Sequence, residues 1–432
     1  MKKKFAEEFI DFIDKSPSSY HAVKNCSDIL DKSGFIRLDP SKEWKLEKNG
    51  KYYIKKTSST VMAFTVGEET STDYGFRIAG SHTDSPCFRI KPNPEMTVEN
   101  IIRLNTEVYG GPILSTWFDR PLSVAGRVIL KTDNVFRPET VYVNIDRPLM
   151  TIPNLAIHQN RSVNQGVEID RQNDVLPVLG LINETFEKED FLINLVSKES
   201  NIDKKDILDF DLYVYAYEKG TFLGAGNELV SAPKIDNLAS VYAGLRAVTE
   251  SRHINKGINI FVGFDNEEVG SSTKQGADSN YLMNYMERIY ISLGMSRADF
   301  LTAVNNSFLI SADGAHAAHP GFTGKMDPTN KPSLNKGVVF KISANQKYTS
   351  DGFSISVIKQ IIEGKDIKTQ SFVNNSKEAG GSTIGPISST HLEVDSVDLG
   401  IPMLAMHSVR ELCGSDDLYS LKELIKVFFE AQ

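Results

Sequence analysis

The sequence predicts an α/β protein: a sandwich of helices around a mostly parallel sheet, interrupted by an inserted β-rich domain. Three observations predict it. After residue 230, fully apolar strand-like runs alternate with helix-length stretches, the pattern of parallel strands covered on both faces. From about Lys91 to Glu228 the texture changes to short β-prone runs broken by Pro92, Pro94, Gly110, Gly111, Pro112, Pro121, Gly126 and Pro138. At 432 residues the chain is also too long for one ordinary core. The expected division is a discontinuous α/β domain of residues 1–92 and 229–432, with residues 93–228 as the insert.

The elements follow in order. Residues 4–16 and 19–33 read as amphipathic helices, the second closed by Ser33-Gly34. Alternating apolar positions between Lys51 and Val66 predict strands, and Phe76–Gly80 another. In the insert, Gly126–Leu130, Thr140–Ile145 and Asp211–Tyr217 read as strands, with helical or loop material over 173–208. Beyond it come a helix near 237–251, the apolar strand Ile258–Phe264, helices within 278–303 and the strand Ser307–Ser311. The strand Gly337–Ser343, a helix near 351–363, a further strand region and a helix near 416–430 complete the chain.

Composition excludes several functions. A net charge of −8 argues against nucleic acid as a partner, because binding phosphates needs a basic face. No run of 18 apolar residues occurs, so no membrane span is expected. The basic start Met1–Lys4 is followed by Glu7, Glu8, Asp11 and Asp14, which break any signal-peptide core. Three scattered cysteines, Cys26, Cys87 and Cys413, form no disulfide framework and fit reduced thiols. The expected location is the cytoplasm.

Five short patches carry the chemistry: Ala79–Pro86, Ala232–Asn237, Phe264–Gly270, Ser311–Gly314 and Ala405–Ser408. Each sets carboxylate or imidazole beside an apolar run, and four lie at or just past strand C-terminal ends, where α/β sheets bind ligands. Imidazole and carboxylate are ligands suited to zinc and its neighbours. Singly, each has an ordinary explanation: His82-Thr-Asp84 as a polar loop, Asp236 as a helix N-cap, His407 as a bonded core histidine. The adjacent Glu267 and Glu268 are harder to dismiss, since two half-buried carboxylates repel unless a cation sits beside them. One of that pair would bind metal while the other faces water. Five ligands, one shared, would hold two ions, with Asp84 fixing the His82 ring.

These words, with Gly381–Pro386 and Met406–Glu411, resemble the M18 family of aspartyl aminopeptidases, dinuclear zinc exopeptidases, over nearly the whole chain. The resemblance implies a zinc-exopeptidase-like α/β sandwich as the catalytic domain, with the insert serving oligomerisation and site completion. It implies that Asp236 bridges two divalent ions, most naturally Zn²⁺, with Co²⁺ and Mn²⁺ also suited. Glu268 and His407 would complete one site, and His82 and Asp313 the other. Glu267 would be the catalytic base on a water held between the ions. A cis peptide at Asp236-Asn237 is implied as well. Lys341, a charge inside the apolar run Val338–Ile342, and Tyr348 match positions that bind an acidic side chain, which implies removal of N-terminal Asp or Glu from peptides. His158 matches a residue that enters a neighbouring subunit's site, which implies a homo-oligomer, a dodecamer built from dimers. His316 and His319 are expected to support the site rather than bind metal. Two other readings remain: an aminopeptidase of the same architecture preferring neutral residues, and a non-catalytic, metal-stabilised assembly protein.

Overall fold

The computed structural model describes residues 1–182, 190–252 and 256–431. Its centre is a nine-stranded sheet in the order Ile36–Arg37, Lys51–Lys56, Thr60–Val66, Ile258–Phe264, Phe76–His82, Phe308–Ala312, Asp395–Gly400, Val338–Ile342 and Thr369–Val373. The four strands from Ile258–Phe264 to Asp395–Gly400 run parallel. Alternation along them divides the core. Phe261, Ala79 and Ile310 face helices Lys2–Asp14, Ile235–Glu250 and Ser415–Phe429, while Ile260, Ile78 and Leu309 face Tyr281–Ser292 and Arg297–Asn305. Both faces are covered, which is why these strands are apolar throughout.

A second sheet of six strands is antiparallel, in the order Glu139–Asn144, Leu122–Leu130, Ile207–Ala216, Cys87–Val98, Ile101–Tyr109 and Val178–Leu181. It has its own core around Phe88, Trp117, Val128 and Leu212. Its strand Cys87–Val98 starts ahead of residue 93, continuing almost directly from His82. Within 173–208, read from sequence as helical or loop, lie the edge strand Val178–Leu181 and the helix Phe191–Ser200. The strand is four residues long, too short to show a period. Positions 183–189 of that stretch lie outside the described residues.

The third sheet was not foreseen. Thr221–Leu223, Leu229–Ala232, Glu411–Gly414, Pro402–Leu404 and Ala315–His316 pair in that order. It ties the segment leaving the insert to the chain flanking His407. Among the described residues no helix is long and apolar enough to cross a membrane.

Candidate metal centre

The five patches converge at the C-terminal ends of the parallel strands. His82 ends its strand, Glu267 and Glu268 form a tight turn after Phe264, and Asp313 follows Ala312. Asp236 opens the helix after the short strand Leu229–Ala232, and the Asp236-Asn237 peptide is cis. Asn237 Nδ2 donates to the Ala312 carbonyl at 2.9 Å, and Ser85 Oγ donates to the Asp236 carbonyl at 2.8 Å. His407 lies in a turn after Leu404 with φ +67°.

Asp236 is central. Its Oδ1 is 3.4 Å from His82 Nε2 and its Oδ2 is 3.6 Å from His407 Nε2. His82 Nε2 is also 3.6 Å from Asp313 Oδ1 and 3.9 Å from Glu267 Oε2, while His407 Nε2 is 3.3 Å from Glu268 Oε2. Ligand atoms of His82, Asp236 and Asp313 lie within 4.8 Å of one another, and so do those of Asp236, Glu268 and His407. Both triads share Asp236. A third such group, His82 with Glu267 and Glu268, overlaps them.

The electrostatics describe a cluster short of positive charge. Burial pushes Glu267 up to about 8, assisted by Asp313, Asp84 and Asp236 and opposed by His82. Burial and the Asp236 charge likewise raise Glu268 well above the carboxylate range. Burial disfavours a charged His82 ring, yet Glu267, Asp236, Asp313 and Asp84 outweigh it and raise His82 well above its ordinary value. Burial opposes ionisation of Asp313 too, but the Lys341 ammonium and His82 hold it below the carboxylate range. Asp236 Oδ1 and Glu268 Oε1 are buried and accept no hydrogen bond. Buried carboxylate oxygens without donors are costly, and two cations facing N/O donors would satisfy them. The residues therefore fit a pair of divalent ions.

Groups around the ligands hold them in place. His82 Nδ1 is 3.1 Å from the Asp84 carbonyl oxygen and 3.4 Å from its carboxylate, so the main chain is the nearer partner. The Asp84 carboxylate instead accepts from the amides of Glu267 and Glu268, both at 3.1 Å, and from Tyr109 Oη at 2.7 Å. His407 Nδ1 is 3.0 Å from the Gly111 carbonyl oxygen. Glu411 accepts from the amides of Asp236 and His407. Sequence reasoning assigned no role to Tyr109, Gly111 or Glu411. A charge heading the otherwise apolar strand Glu411–Gly414 was the available signal for Glu411, and the glycine pair Gly110-Gly111 for the loop.

The expected substrate residues lie in two places. Lys341, 2% exposed, donates to Asp313 Oδ2 at 3.1 Å and to the Gly314 carbonyl at 3.0 Å. Buried Tyr348 places its ring 5.1 Å from that ammonium. His158 is exposed in the insert, on the irregular segment after Ile152, and among the described residues no hydrogen bond or ion pair joins it to the cluster. His316 and His319 are exposed and belong to none of the three groups.

Comparison with known proteins decides the family. The sequence model of the aminopeptidase I zinc metalloproteases (M18) matches residues 12–429. The chain belongs to this family. A probable M18 family aminopeptidase 2 of Clostridium novyi is 57% identical over 429 residues, covering 99% of both chains. One from Clostridium acetobutylicum is 50% identical, covering 98% of both. Among solved structures, one of an Ape4–Nbr1 complex superposes with a TM-score of 0.95 at 36% identity, covering 99% of this chain and 86% of that one. The S. cerevisiae mApe1 dodecamer gives 0.85 at 26% identity, covering 99% and 96%. M18 membership makes the chain a metallo-aminopeptidase, with the predicted α/β architecture, and sets aside the non-catalytic assembly reading.

Proposed function

We propose that this M18 peptidase removes N-terminal Asp or Glu from peptides, using two divalent ions and Glu267 as the base. The observation carrying the two-ion reading is Asp236, whose two oxygens face two separate ligand groups. His82 and Asp313 would hold one ion and Glu268 and His407 the other; Zn²⁺ fits, as do Co²⁺ and Mn²⁺. Bound there, the ions would polarise the scissile carbonyl and acidify water. Glu267 has a carboxylate left over for proton transfer: it takes a proton from the attacking water and delivers it to the leaving amine.

Lys341 supports the acidic preference. An ammonium carries three donors, and two are spent on Asp313 and Gly314, which leaves one for a substrate carboxylate. The Asp313 pairing also favours a second reading, in which Lys341 serves the metal centre and the enzyme prefers neutral residues. Hydrolysis of Asp-, Glu- and Leu-derived chromogenic amides separates them, before chelation and after metal is restored. Chelator-sensitive cleavage of the acidic amides, with discrimination lost in Lys341→Ala, is expected. Preferential Leu cleavage, or a Lys341→Ala enzyme that still selects acids, would overturn the acidic pocket.

The domain of residues 93–228 is proposed to mediate assembly as well. His158 follows exposed Leu155 and Ile157 on the same irregular segment, apolar side chains suited to a neighbouring subunit. We place His158 in that neighbour's site, within a homo-oligomer like the S. cerevisiae dodecamer. His158→Ala is expected to bind metal normally and lose most turnover; full turnover would refute the shared site. Three free thiols suit a cytoplasmic setting.

A further inference from the structure

Two carboxylates that belong to none of the three ligand groups act on the cluster in the same way. Asp84 spends one oxygen on the Glu267 amide and the other on the Glu268 amide. Glu411 mirrors it: Oε1 accepts from the His407 amide at 2.8 Å and Oε2 from the Asp236 amide at 2.9 Å. Glu411 is 2% exposed, and among the described residues no lysine or arginine forms an ion pair with it. A buried acid without a cation is a poor choice for packing alone.

The placement explains what it does. Asp236 arrives from the strand Leu229–Ala232 and His407 from the turn after Pro402–Leu404. Both strands belong to the small sheet, and the strand Glu411–Gly414 pairs between them. Glu411 heads this middle strand, its partner across the ladder being Ala232. A carboxylate has two equivalent acceptor oxygens in a fixed fork, so one side chain sets the spacing of two backbones. His407 has left the regular sheet, with Ala405 and His407 both at positive φ. Its amide is held by Glu411, and its ring by Gly111.

We propose that Glu411 is a positioning residue of the metal centre, fixing the separation between the shared Asp236 carboxylate and the His407 imidazole. This rests on the two-ion reading above. It touches neither substrate nor the reacting atoms; it acts through the two ligands whose amides it holds.

Glu411→Gln is nearly isosteric and tests it. The amide keeps one acceptor and turns an NH₂ toward the other backbone N–H, so one of two bonds is lost. Chelator competition with Zn²⁺ or Co²⁺ is expected to show about 10–100-fold weaker binding, the usual effect of losing a group that orients a metal ligand. The metal-free variant should still fold, with a melting temperature lowered only slightly, because the lost hydrogen bond is offset by removing a buried acid beside Asp236. With Co²⁺ bound, the visible absorption should shift, and kcat should fall with KM little changed. Glu411→Asp keeps the charge but is one methylene shorter and can hold only one amide. It is expected to lose affinity likewise; wild-type affinity in this variant would mean that charge alone matters and would overturn the positioning role. Unchanged affinity in Glu411→Gln, or a metal-free protein that melts much earlier or fails to fold in both variants, would also overturn it. A wild-type protein that bound no metal would instead sink the two-ion reading itself.

Discussion

The two histidines at the ends of the cluster are held in opposite ways. His82 is 2% exposed, ends a central strand, and is backed by Asp84 and, through Asp313, by Lys341. The His407 side chain is 32% exposed, stands in a turn of positive φ, and is held by Gly111 of the insert and by Glu411. One end is part of the sheet. The other joins two segments distant in sequence, the loop of Gly111 and the stretch from His407 to Glu411. The difference teaches that the two ligand sets should respond differently to metal, pH and the insert.

The largest test bears on Glu267, which faces His82 at 3.9 Å and leans toward the sheet end. Glu267→Gln should lower kcat by ~10²–10⁴-fold while both ions stay bound. Loss of metal together with activity would make it a ligand and redraw the comparison. Next, His82→Ala should cost more bound metal and more stability than His407→Ala, which should keep an ion at the sheet end. Metal content after desalting measures this, and equal losses in both variants would erase the distinction.

A smaller effect concerns pH. The folded, metal-free protein holds a proton on Glu267 up to about 8, whereas the unfolded chain releases it near the ordinary value of 4.5. The folded state therefore binds more protons across that window, and its stability falls as pH rises through it. His82, raised above its ordinary 6.5, has the same sign, its contribution being lost as pH rises through its folded value. Melting temperatures of metal-free protein should decline between about pH 5 and 8, and added metal should flatten the decline, since binding displaces these protons. A rise across that range would contradict the charge balance described. The smallest change is Gly110→Ala. Gly110 sits at φ +71°, where a side chain costs roughly 1–2 kcal/mol, and a Cβ would meet the Glu268 Cβ at 3.1 Å. It should weaken the His407 end selectively, while Gly111→Ala, with 3.5 Å to His407 Nδ1, should be milder. Equal weakening of both ends would mean that the loop does not discriminate between them.

The sheet end was legible in the sequence for a physical reason. His82, Glu267 and Asp313, and Glu268 from the other ligand set, each follow or end an apolar strand long enough to show itself, so side-chain type and position point to the same place. At the other end the patches holding Asp236 and His407 stood out as well, but their joining into one ligand set came only from the resemblance. The strands around His407 and Glu411 are three and four residues long, too short for any period. Glu411 reads as an ordinary acid, because its two partners are backbone amides. Lys341 stood out as a charge among apolar residues, but its bond to Asp313 joins strands that are not neighbours in the sheet and leaves no local trace.

The insert reaches His407 through main-chain groups. Gly111 offers its carbonyl to the ring, and the Ile113 amide donates to the His407 carbonyl at 2.9 Å. Every amino acid carries the carbonyl and all but proline the amide, so the stretch from Gly111 to Ile113 can change side chains, within its steric limits and with no proline at 113, and keep both bonds. Adding or removing one residue there would misplace them together. What this loop must preserve is its length.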